Sequence, residues 1–196
     1  MLKDKFKNYD VVLASQSPRR QELLKGLDLE YRIETRLVNE VYDNKLQKGE
    51  ITAYLATLKA QAFQSDITNH QIVVTSDTIV WFENQALEKP KSRKQAFNML
   101  QSMQGKSHLV YTSVCVLTSK GKHVITDETK VLFNKMTDQQ IDYYIDHYKP
   151  FDKAGAYGIQ DWWGYTAVKE IKGCYYNVMG LPLQALHRLL SDIALS

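Results

Sequence analysis

The 196-residue chain lacks most features that would assign it to a class at sight. It has only two cysteines, Cys115 and Cys174, far apart and outside any Cys-x-x-Cys spacing. That excludes a disulfide framework and a cysteine-type zinc site, and predicts two buried thiols in a reducing compartment. The longest uncharged stretch, residues 109–119, is too short and too polar to span a bilayer. The opening Met1-Leu2-Lys3-Asp4-Lys5-Phe6-Lys7 is charged and has no apolar run behind it, so no secretory signal is expected. Net charge is also scarce. A formal +3 gives no reason to expect a nucleic-acid or membrane partner. These absences read together as a cytoplasmic protein.

Several catalytic signatures are missing too. Without Gly-x-x-x-x-Gly-Lys-Ser/Thr the chain is not a P-loop protein, and without Gly-x-Gly-x-x-Gly it offers no dinucleotide fingerprint. Gly-x-Ser-x-Gly is absent, which removes the commonest serine-hydrolase signal. His70, His108, His123, His147 and His187 show no metal-ligand spacing and read as surface or core residues. What remains is a chain of average soluble composition, 44% hydrophobic and 24% charged, long enough to bury roughly 70% of its unfolded surface. No repeat, low-complexity tract or linker divides it, so a single domain over residues 1–196, or two closely packed lobes, is expected.

The pattern alternates strands and helices. Residues 10–14 read as a buried strand, followed by a helix over 18–25 with Ser17 as N-cap, Pro18 at the first position and Gly26 as the stop. Residues 31–35 read as a strand, and 51–64 as a helix with Ile51, Leu55, Leu58 and Ala62 on one stripe. Residues 72–75 and 78–82 are strand-like, with Asp77 between them. Ser92 can cap a helix over 93–103. Two β-branched runs, 109–118 and 124–133, flank a turn at Ser119-Lys120-Gly121-Lys122. Thr137 caps a helix to about His147, residues 150–165 look irregular, a hairpin is expected around Lys172-Gly173, and Pro182 opens a final helix. The mixture predicts an α/β fold with a mixed, twisted sheet and flanking helices.

Candidate chemistry begins at Ser15-Gln16-Ser17-Pro18-Arg19-Arg20. Arginines in a first helical turn oppose the helix dipole, which makes sense if a polyanion binds there; the alternative is a solvated basic face. Asp77 interrupts an apolar run, where a carboxylate is unfavourable unless paired or bound to a cation; the alternative is an Asp-turn between strands. Taken alone, Glu40 reads as a loop charge, and Lys59 and Lys89 as solvated lysines. Gln160 can donate and accept, and so could read a pyrimidine edge or simply bond to the loop backbone. Trp162 and Trp163 fit three roles: wall of a site, dimer contact or core.

Six blocks then carry a resemblance. They are Ser15-x-Ser17-Pro18-Arg19-Arg20, Leu55-Ala56-x-x-Lys59-Ala60, Ser76-Asp77-Thr78-Ile79-Val80, Glu88-Lys89-Pro90, the run from Asp152 to Gln160, and Tyr176-Asn177-Val178-Met179-Gly180-Leu181-Pro182-Leu183. In this order they resemble the Maf family of nucleoside triphosphate pyrophosphatases. The resemblance implies an inosine triphosphatase-like α/β fold with two lobes around a cleft, and release of pyrophosphate from a nucleoside triphosphate.

It implies Asp77 as the catalytic carboxylate. Asp77 and Glu40 would hold a divalent metal cation, Mg²⁺ or Mn²⁺, although Asn39 stands where relatives often carry a second acid. Ser15, Arg20, Lys59 and Lys89 would bind the phosphates. Arg19, Thr78 and Gln160 match the pyrimidine branch, which acts on dTTP and UTP, rather than the branch acting on 7-methyl-GTP. A homodimer is implied as well. Two other readings stay open at this point: a nucleotide-binding regulator of septum formation, and a house-cleaning pyrophosphatase for purines.

Overall fold

The computed structural model describes residues 1–194; the expected single domain also takes in residues 195 and 196, which lie outside the described residues. In chain order the elements are α1 (Leu2–Lys5), β1 (Asp10–Leu13), α2 (Pro18–Lys25), β2 (Arg32–Ile33), α3 (Gly49–Gln61), β3 (Gln71–Phe82) and β4 (Gln85–Leu87). They continue with α4 (Arg93–Met103), β5 (Ser107–Thr118), β6 (Gly121–Phe133), α5 (Asp138–Tyr148), α6 (Trp162–Ala167), β7 (Val168–Lys172), α7 (Tyr175–Met179) and α8 (Leu183–Ile193). The strands form one seven-stranded sheet in the order β2-β1-β3-β5-β6-β7, with β4 pairing β3 off that path. β1 runs parallel to both β2 and β3, whereas β4 is antiparallel to β3 and β7 to β6. The expected mixed α/β sheet is therefore present.

Local chemistry accounts for several boundaries. Ser92 Oγ accepts from the Gln95 N–H, capping α4. Thr137 and Gln140 form a reciprocal capping box at the start of α5. Glu83 and Asn84 both take positive φ, 47° and 62°, the geometry that lets a two-residue turn join twisted strands β3 and β4.

Other expectations are corrected. β3 is one uninterrupted strand, so Asp77 lies within it and not at a turn between two. The buried face of α3 is Ile51, Thr52, Leu55, Ala56 and Ala60, while Leu58 and Ala62 are only half-buried. No hairpin forms at residues 172–173; β7 pairs back with β6, and α7 follows. Part of the irregular 150–165 stretch is the start of α6, and α1 and β4 have no counterpart in the sequence pattern.

The chain divides into two compact units. The first comprises Met1–Asp77, Thr112–Asp127 and the chain from Gly180; the second comprises Thr78–Tyr111 and Glu128–Met179. In the first, Val12, Ala14, Ala56, Ala60, Phe63, Val73, Cys115 and Leu117 pack together. The second is built around Val80, Leu100, Phe133, Tyr144, Tyr157 and Trp163. Trp163 is thus core, and Trp162 packs against the same cluster. Cys115 is buried and its thiol pushed up to about 11 by burial, but Cys174 is only half-buried, contrary to expectation. Among the described residues no helix is long and apolar enough to cross a membrane.

Candidate active site

The first unit assembles a charged cluster from α3, β3 and the connection between β2 and α3. Thr75 on β3 donates from Oγ1 to the Ala56 carbonyl of α3 at 2.6 Å, which fixes helix against strand. Lys59 lies one turn beyond Ala56 on the same helix face, and Asp77 two residues beyond Thr75 on the same strand face. The two therefore meet, with Lys59 Nζ 2.6 Å from Asp77 Oδ1. The same ammonium lies 2.9 Å from Glu40 Oε2. The Asp77 side chain is 12% exposed and that of Glu40 51%. Asp77 consequently depends on Lys59 for charge compensation in a way that Glu40 does not.

A second set of bonds holds the main chain around Asp77. Arg20 on α2 donates from Nε to the Gly180 carbonyl and from Nη1 to the Ser76 carbonyl, each at 2.9 Å. Ser76 Oγ also donates to the Gly180 carbonyl at 3.2 Å. Burial pulls the Arg20 guanidinium down from its usual value, the Asp77 charge works against that, and Arg19 adds to it. An arginine remains protonated under such shifts. Ser15 is buried at the turn between β1 and α2, where its Oγ accepts from the Ser17 N–H at 3.3 Å and lies 3.5 Å from Arg20 Nη1. Ser17 occupies the N-cap position of α2 as expected, but its side chain makes no capping bond; the hydroxyl that organises this turn belongs to Ser15.

Ser15, Arg19, Arg20, Glu40, Lys59 and Asp77 thus belong to the first unit, and Arg19 is half-buried beside Arg20. Thr78, Lys89 and Gln160 belong to the second. Thr78 follows Asp77 directly on β3 and is half-buried, Lys89 is exposed after β4, and Gln160 is half-buried before α6. The residue-by-residue reading missed Thr75 and the Ser76 and Gly180 carbonyls. Their only sequence signal is a hydroxyl two positions before Asp77 and a glycine inside the block at 176–183. Among the described residues no group of three or more His, Cys, Asp or Glu side chains is placed to hold a metal ion.

A lysine-bridged carboxylate pair with arginines beside it is chemistry suited to holding an anionic substrate against a carboxylate. Comparison with known proteins narrows that description. Residues 10–193 match the family described as Maf-like protein, and the chain belongs to that family. A relative from Flavobacterium johnsoniae, named dTTP/UTP pyrophosphatase, is 49% identical over 98% of this chain and 100% of its own. Relatives of the same name from Flavobacterium psychrophilum and Bacteroides fragilis are 48% and 47% identical, covering 97% and 94% of this chain and 97% and 96% of theirs. A solved nucleoside-triphosphatase / dITP/XTP pyrophosphatase from Mycobacterium abscessus covers 65% of this chain and 75% of its own at 12% identity. Its TM-score of 0.37 is too low to carry an argument.

Proposed function

We propose that the chain hydrolyses dTTP and UTP to the nucleoside monophosphate and pyrophosphate, as the names of its relatives state for them. The observation that carries this is near-half identity to those relatives over almost the full length of both chains. The first unit's cluster supplies suitable chemistry. Hydrolysis of a phosphoanhydride is mostly a matter of positioning water and stabilising charge on phosphate oxygens. Asp77, held by Lys59 on a strand whose main chain is tied by Arg20, is the group that orients and deprotonates the water. Lys59 and Lys89 offer point charges to the phosphates, Arg20 a guanidinium charge and Ser15 a hydroxyl.

Asp77 and Glu40 suit a divalent cation. Their oxygens already surround one positive charge, the Lys59 ammonium, at 2.6 and 2.9 Å. Mg²⁺ and Mn²⁺ favour such hard oxygen donors, and Mg²⁺ commonly takes only one or two carboxylates, with phosphate and water completing the shell. When bound, the metal supplies charge neutralisation at the phosphates and a more acidic water.

Base selection falls to Gln160, whose amide both donates and accepts and so matches the N–H and C=O edge of uracil or thymine, with Arg19 and Thr78. The reading places the enzyme in the cytoplasm as a homodimer acting on free nucleotides, without nucleic-acid or membrane partners.

The test is kcat/KM for dTTP, UTP, CTP, inosine triphosphate and 7-methyl-GTP, read by pyrophosphate release with and without EDTA. Preference for dTTP and UTP, lost in EDTA, is expected. Preference for a purine triphosphate would overturn the substrate assignment, and unchanged activity in EDTA the metal.

A further inference from the structure

We infer that Tyr144 is a positioning residue for base recognition: its hydroxyl clasps the loop that carries Gln160. The inference rests on the reading that Gln160 meets the base. Tyr144, on α5, is fully buried. Its hydroxyl accepts from the Gly158 N–H at 3.0 Å and donates to Asp161 Oδ2 at 3.2 Å. One oxygen thus ties the residues on both sides of Ile159-Gln160. Lys153 Nζ, on a side chain only 12% exposed, lies 3.7 Å from the same Asp161 oxygen and 2.8 Å from Asp152 Oδ1.

The surroundings leave this loop little room to settle elsewhere. A Cβ on Gly158 would fall 2.3 Å from Asp161 Oδ2, and one on Gly164 would fall 1.7 Å from the Ile159 carbonyl. The backbone of α6 therefore presses directly on the residue before Gln160. The Tyr144 ring is itself fixed, stacked on Tyr148 at 5.3 Å between centroids and packed against Trp163 at 5.2 Å. Trp162 lies nearly parallel to it at 6.4 Å. The sequence Asp161-Trp162-Trp163-Gly164 supplies the acceptor, two of the three aromatic supports and the close approach.

The experiment uses the full chain and compares kcat and KM for UTP and CTP. Tyr144→Phe removes only the clasping oxygen. KM for UTP should rise about tenfold or more, since two buried hydrogen bonds are lost, with kcat nearly unchanged and the UTP-over-CTP preference reduced by a similar factor. Tyr144→Phe combined with Gln160→Ala should lose no more preference than Gln160→Ala alone, so that the loss in the single variant runs through Gln160, whereas a merely structural role for Tyr144 would leave the preference of Tyr144→Phe unchanged. Asp161→Ala should reproduce the Tyr144→Phe effect, and Asp161→Asn, which keeps an oxygen acceptor, should restore the preference. The Asp161 pair also serves if Tyr144→Phe does not fold. An unchanged UTP-over-CTP ratio in Tyr144→Phe or Asp161→Ala, or fully additive losses in the double variant, would overturn the inference. If Gln160→Ala itself leaves the ratio unchanged, the underlying reading of Gln160 fails, and the inference with it.

Discussion

A carboxylate in the middle of a buried strand has to be matched, and Lys59 matches Asp77 at 2.6 Å. Arg20 works on the main chain beside that pair, and its fork is what lets one side chain reach two carbonyls. Arg20→Lys keeps the charge and loses the fork. Urea unfolding should show a loss of about 1.5–3 kcal/mol, the range for hydrogen bonds to a charged group. An unshifted midpoint would mean that the Ser76 and Gly180 contacts contribute nothing. At this scale Asp77 was legible, because a charge inside an apolar run marks itself. Thr75 was not, since its bond to Ala56 exists only once α3 lies on β3.

At the scale of elements, capped helices and β-branched runs were readable because their signals are local. α4, α5 and the β5–β6 hairpin lie close to where Ser92, Thr137 and the turn near Gly121 place them. The segment after Gly173 was misread because tertiary bonds decide it. Thr129 Oγ1 accepts from the Cys174 N–H at 3.0 Å and donates to the Cys174 carbonyl at 3.1 Å. Asn177, fully buried on α7, donates to the Val110 carbonyl at 3.0 Å and to Thr129 Oγ1 at 2.9 Å. These bonds fasten a five-residue helix where β-forming residues suggested a strand. Asn177→Ala removes both donated bonds and some packing, and should cost about 2–4 kcal/mol in a denaturant titration. A loss below about 0.5 kcal/mol would show that α7 is held by other means.

For the whole molecule, the mixed sheet was legible from the alternation of patterns, but the division into two compact units with its boundary between Asp77 and Thr78 was not. Continuous strand β3 hides it, since both residues share one apolar run. Global stability should carry the mark of one buried histidine. His108 is 2% exposed, its Nε2 lies 2.8 Å from the Tyr157 hydroxyl, and its Nδ1 has no hydrogen-bond partner among the described residues. Burial pushes it down to about 3 from an ordinary 6.5. The unfolded chain therefore binds a proton as pH falls through that ordinary value, while the folded protein does not. Stability is fully present above that value and declines toward the depressed one, by about 2 kcal/mol from pH 7 to pH 5. His108→Phe should flatten this slope in unfolding titrations; an equal slope in both proteins would remove His108 from the account.

Asp77 is the residue proposed to activate the water that releases pyrophosphate. The most direct test of that role is the rate at which folded Asp77→Asn releases pyrophosphate from UTP, measured beside the unsubstituted protein under the same metal conditions. One UMP and one pyrophosphate per UTP are expected from the unsubstituted protein, with the variant slower by about 10²–10⁴-fold. A folded variant within a few-fold of the unsubstituted rate, or UDP and orthophosphate as the products, would contradict that role.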